Sequence, residues 1–274
     1  MRRRIPVFAI ATATLSLGTV GVASGADLGR PVYRAPPPVI APAPVSFWTG
    51  FYVGGFVGGA FPNEDVTATD LGSTGGFYAP GTLYNTGSSP WSYGLDDSFI
   101  GGGTIGYNWQ FPGSPFLVGI EGEVGYMRLT GSAPDPVSPG LDTVSSARVG
   151  DWYAVLSGRL GWLPTPDWLV YAKGGAVWTE LHADVVDSCT TGACGLGTVN
   201  ATGSDTTTGW ALGGGVEWMF APRWSAKAEY LFLGIDDSIK ACGPGGANAA
   251  GSDFCWGHDF NGVHTVKVGV NYHF

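Results

Sequence analysis

From Trp48 to the C-terminus, apolar residues alternate with small or polar ones in segments of about ten, separated by turn residues. Eight such segments stand out: Trp48–Phe61, Phe99–Phe111, Phe116–Thr130, Trp152–Trp162, Trp168–Thr179, Gly209–Phe220, Trp224–Gly234 and His264–Phe274. The last is the cleanest. Val266, Val268, Val270, Tyr272 and Phe274 share one face, and Thr265, Lys267, Gly269, Asn271 and His273 the other. Side chains of a strand alternate faces, so this is a strand with one side made for an apolar medium.

The connections alternate too. Pro112 to Pro115, Leu163 to Asp167 and Ala221 to Arg223 are short, whereas 62–98, 131–151, 180–208 and 235–263 are long. Trp and Tyr gather near segment ends, as at Trp48, Trp109, Trp152, Trp162, Trp168, Trp210, Trp218 and Trp224. A soluble sandwich would bury its aromatics. Girdles of aromatics, short turns on one side and long loops on the other predict an all-β fold, an eight-stranded antiparallel transmembrane β-barrel. Its short turns would be periplasmic and its long loops extracellular.

Alternation then assigns the charges within the segments to the lumen. Glu121, Glu123, Arg159, Lys173, Glu217, Lys227, Glu229 and Lys267 all take the parity opposite to their apolar neighbours. Facing lipid, each would cost roughly 2–4 kcal/mol at mid-membrane. Four acids and four bases facing inward predict a neutral interior. An eight-stranded barrel is just wide enough for side chains to fill it, so the expectation is a plug of ion pairs. A proton or ion path is the alternative. Gly101 to Gly103 and Gly213 to Gly215 are expected to relieve crowding in so narrow a sheet.

Composition narrows the classes. Glycine is 46 of 274 residues, charged residues are 13% and aromatics 13% with 11 Trp. So much glycine argues against helical bundles, and so few charges with so many rings against disorder. The formal net charge of −9 argues against a nucleic-acid partner. Residues 1–25 read as a signal peptide: Arg2, Arg3 and Arg4, an apolar run Val7 to Val22, then small residues before Ala26. A membrane anchor is the alternative, but the run is short. Removing that segment takes away three arginines and no acids, leaving −12. Residues 26–47 are proline-rich and predict an extended periplasmic linker, with the barrel spanning 48–274.

Cys189, Cys194, Cys242 and Cys255 are even in number in an exported chain and are expected to be disulfides. Pairing 189 with 194 and 242 with 255 is the simplest of three connectivities. Metal ligation, with His258 as a further ligand, is the alternative. His182 and His258 are expected in loops, where they are candidates for haem iron. Gly101-x-Gly103-x-x-Gly106 matches a dinucleotide fingerprint only as a string, because a strand rather than a helix follows it. No catalytic residues or cofactor are expected: the reading is a barrel with a structural and surface-interaction role, with a narrow porin-like channel or a haem-binding uptake protein as the alternative and a lipid-modifying outer-membrane enzyme ranked last. The long loops are acidic, and Arg148 and Lys240 are their clearest bases. Such loops suit solubility or cation sharing with lipopolysaccharide phosphates.

Several strings resemble one family. They are Trp48-Thr49-Gly50-Phe51-Tyr52-Val53-Gly54-Gly55, Gly106-Tyr107-Asn108-Trp109-Gln110, Val118-Gly119-Ile120-Glu121-Gly122, Gly209-Trp210 through Glu217-Trp218, Lys227-Ala228-Glu229-Tyr230 and the terminal Tyr272 and Phe274. Together they resemble the alphaproteobacterial outer-membrane immunogens, over essentially residues 26–274. The resemblance implies a porin-like surface antigen of the outer membrane whose terminal aromatics are read by the barrel-assembly machinery. Outer-membrane lipid and lipopolysaccharide are the expected surroundings, and haemin or a host surface ligand a possible partner for the loops. No residue carries over from a haemin site.

Overall fold

The computed structural model describes residues 48–73, 90–136, 143–189, 197–246 and 249–274. Within these, thirteen strands account for almost all regular structure. They are β1 (Gly50–Pro62), β2 (Val66–Ser73), β3 (Trp91–Tyr93), β4 (Ser98–Gln110), β5 (Phe116–Tyr126), β6 (Arg128–Pro134) and β7 (Thr143–Thr165). After them come β8 (Trp168–Cys189), β9 (Gly197–Ala221), β10 (Trp224–Gly234), β11 (Asp237–Pro244), β12 (Asp253–Phe260) and β13 (Val263–His273).

Eight of them close a ring in the order β1-β4-β5-β7-β8-β9-β10-β13, every neighbour antiparallel. The closing pair sets Tyr52 against His273 and Val57 against Val268. Closure leaves no sheet edge in lipid, where an unpaired amide has no water to bond. Outward positions are apolar and exposed, as at Val57, Ile105, Ile120, Leu160, Leu212 and Val268. Trp152 and Trp162 both face out on β7. Ten tilted strand residues between them rise about 25 Å, the height of an outer-membrane apolar band. Phe61, Phe99, Tyr126 and Trp210 stand near the level of Trp152, and Trp109, Trp168, Trp218 and Trp224 near that of Trp162.

Glycine is needed inside this ring where strands nearly touch. A Cβ on Gly102 would come within 2.2 Å of the Val124 carbonyl oxygen. Gly103, by contrast, faces out and would meet nothing nearer than 3.5 Å, so crowding does not account for every glycine of that run. The dinucleotide-like string lies wholly within β4.

Much of what reads as loop is strand. β7, β8 and β9 run well past the girdle, and β2, β3, β6, β11 and β12 form within the long connections. They continue the wall upward in the order β6-β7-β8-β9-β11-β12-β2-β3. Between β3 and β6, the Asp96 amide donates to the Thr130 carbonyl at 2.8 Å. This extension packs its own core, including Val66, Leu129, Leu181, Val199, Ile239 and Trp256. β7 bends as it enters it: Gly150 and Asp151 have φ of 111° and 78°, and the register with β8 breaks between Val149 and Tyr153.

Candidate functional site: the filled interior

Parity places the charges. Each of the eight inward residues sits on a ring strand between two outward neighbours, and each is at most 4% exposed. The structure brings all eight together. Lys173 Nζ contacts three carboxylates, Glu121 at 2.8 Å, Glu123 at 3.2 Å and Glu229 at 2.8 Å. Lys267 joins Glu123 and, at 2.9 Å, Glu229. Arg159 links Glu217 to Glu121, which lies 3.7 Å from Nη1, and Lys227 approaches Glu121 at 3.6 Å.

Uncharged groups complete the set, and of these the sequence pattern placed only Asn271 and His273, on the face of the last strand opposite its apolar side. Tyr52 donates to Glu121, Tyr153 to Glu123 and Tyr171 to Glu229, at 2.7, 2.7 and 2.8 Å. Ser225 and Asn271 donate to Glu217, with His273 Nε2 3.4 Å away. The Arg159 guanidinium lies over the Tyr171 ring, 3.8 Å from its centre. The signal was available: polar side chains at inward parity, such as Tyr52 between the outward Phe51 and Val53.

Chemically, every acid is neutralised and bonded. The oxygens of Glu121, Glu123 and Glu229 lie within 4.8 Å of one another, a spacing that would suit a cation. The Lys173 ammonium already bonds all three. Buried ions unpaired would cost several kcal/mol each, and this mutual pairing offsets that cost.

Apolar layers close the space on both sides. Toward the short turns, Trp48, Leu117, Leu163, Leu169, Tyr171 and Met219 cluster, and Trp48 Nε1 donates to the Pro166 carbonyl at 2.8 Å. Toward the extension, Phe56, Ile100, Tyr153, Val155 and Leu231 begin the larger apolar core.

The remaining candidates fall elsewhere. Cys242 and Cys255 are cross-strand partners on β11 and β12 and are disulfide-bonded. Cys194 and the side chain of Cys189 lie outside the described residues, as do residues 1–47. His182 and His258, expected in loops, are both on strands, because the extension orders those segments. His258 points into the extension core, its Nε2 2.7 Å from Ser145 Oγ, which also meets the Tyr93 hydroxyl at 2.9 Å. Burial holds this imidazole down, at about 4. His182 faces outward beside Glu180. On opposite faces of the wall, the two cannot share a ligand. Tyr272 and Phe274 end the last strand on its outer face, in edge contact at 5.2 Å.

A closed ring with a lipid-facing apolar band and a charged, filled interior defines an integral barrel of a Gram-negative outer membrane. The model of the outer membrane protein beta-barrel domain matches residues 39–274, and the chain belongs to that family. It is 28% identical over 244 residues to the 31 kDa outer-membrane immunogenic proteins of Brucella melitensis biotype 1 and Brucella suis biovar 1, covering 86% of this chain and 88% of theirs. Among solved structures it resembles the outer membrane protein OprG from Pseudomonas aeruginosa. There the TM-score is 0.46 and identity 15%, over 82% of this chain and 97% of that one.

Proposed function

We propose that this protein is a structural and surface-interaction barrel whose lumen is plugged, neither a pore nor an enzyme. The interior carries the reading. An ion-pair network linking six ring strands lies between two apolar layers, so a permeating ion would have to displace charge pairs and tightly packed rings in turn. The extension supports the surface role, because a packed apolar core holds the tops of its strands as a rigid platform. Haemin capture through paired His182 and His258 finds no support, since His258 is buried and bonded to Ser145.

The test is conductance of the folded protein in a planar bilayer, with folding verified by a heat-dependent gel shift. The expected record is silent or shows only rare small steps. Steady, reproducible steps would overturn the plug and make transport the leading function.

A further inference from the structure

Bases are scarce on the outer wall of the extension. Of the eight that follow residue 48, four line the lumen and Arg223 sits in a short turn. Only Arg128, Arg148 and Lys240 remain for the extracellular side, amid many acids. Two of these three meet. Arg128 Nε and Arg148 Nη2 approach the two oxygens of Asp151 at 3.5 and 3.4 Å, with His182 the cross-strand neighbour of Arg148.

Their depth is informative. Arg128 follows Tyr126 by two residues, and Arg148 precedes the outward Trp152 by four. Both therefore stand within about 10 Å of the outer aromatic girdle, at headgroup level. Their bonding is incomplete: a guanidinium has five N–H donors, each makes one long contact here, and Arg148 Nε has no hydrogen-bond partner.

We propose that Arg128 and Arg148 form a binding site for a phosphate of the glycolipid that fills the outer leaflet. Two planar forks at headgroup depth suit a phosphate monoester, which accepts bidentate bonds from each. Asp151, held in the bend of β7, spaces the forks when no lipid is present. A second acid, Glu180, lies nearby, 3.3 Å from His182 Nε2. This inference rests on the outer-membrane location and is independent of whether the lumen conducts.

The test titrates folded full-length protein in detergent with phosphorylated lipid A, dephosphorylated lipid A and inorganic phosphate, following tryptophan fluorescence. Phosphorylated lipid A is expected to bind at least tenfold more tightly than the dephosphorylated form. R128Q/R148Q should erase that preference while keeping the heat-dependent gel shift. D151N should keep or strengthen binding, because it frees both forks. If the glutamine pair does not fold, R128K/R148K keeps the charge, loses the forks and should reduce the preference. An unchanged preference in the folded arginine variant would overturn the site. So would loss of binding in D151N, which would make the trio a staple for the bend. Full competition by millimolar inorganic phosphate would overturn the assignment to lipid.

Discussion

Arg159 has both of its guanidinium nitrogen ends committed, to Glu217 and to Tyr52 and Glu121, and no exposure to solvent. Removing it leaves Glu217 buried with no cation. Arg159→Ala should therefore destabilise the barrel by about 3–5 kcal/mol, read as a shift in denaturant midpoint. Neutralising the stranded acid as well, in R159M/E217Q, should recover part of that loss, whereas unchanged stability in R159A would refute burial of the pair. Gly150 is constrained by backbone instead. Its φ of 111° disfavours any side chain, and a Cβ would meet the Met127 carbonyl oxygen at 2.1 Å. Gly150→Ala should cost about 2 kcal/mol or more and loosen the bend, visible as faster amide exchange near Asp151 and Met127. The eight charges were legible in the sequence because period two is unambiguous on a strand with one greasy face. Parity turns Tyr52, Tyr153 and Tyr171 inward as well, but which acid each meets was not legible, because that depends on the register between strands.

At the scale of elements, the ring strands and the extension differ in what they bury. Ring strands alternate lipid-facing and lumen-facing residues. The extension alternates water-facing with core-facing residues, and His258 is part of that core. Its pKa near 4 lies below the ~6.5 of an exposed imidazole. The unfolded extension therefore takes up a proton that the folded one refuses. Stability is full above about pH 6.5 and falls as the pH drops towards 4, by about 3 kcal/mol in total for this group. Protection factors in β2, β11 and β12, taken against the intrinsic exchange rate at each pH, should fall on acidification, and His258→Gln should flatten that dependence. An equal acid response in the variant would place the sensitivity elsewhere. These segments read as loops in the sequence because polar and small residues interrupt their alternation. Their pairing is between distant segments, such as Trp256 with Asp70, which local pattern cannot show.

For the molecule as a whole, the charged network lies between two apolar layers and meets them at Tyr153 and Tyr171. The charged layer is held by ring strands, the lower apolar layer by Trp48 and its neighbours, and the upper one by the extension core. R159A is thus expected to be less stable and still electrically silent. Conductance appearing in that single variant would show that the apolar layers do not seal.

Sequence by itself determined the class: alternation, turn spacing and aromatic placement impose an outward-greasy closed sheet, because no other arrangement satisfies both the side chains and the backbone in lipid. It also determined which charges face in, since facing follows parity alone. Tertiary structure decided which acid meets which base, the tyrosines that cap them, and the second core above the membrane. Those depend on stagger between strands and on contacts between segments far apart in the chain, such as Lys267 with Glu123. Closure of the ring sets that stagger, and no single strand encodes it.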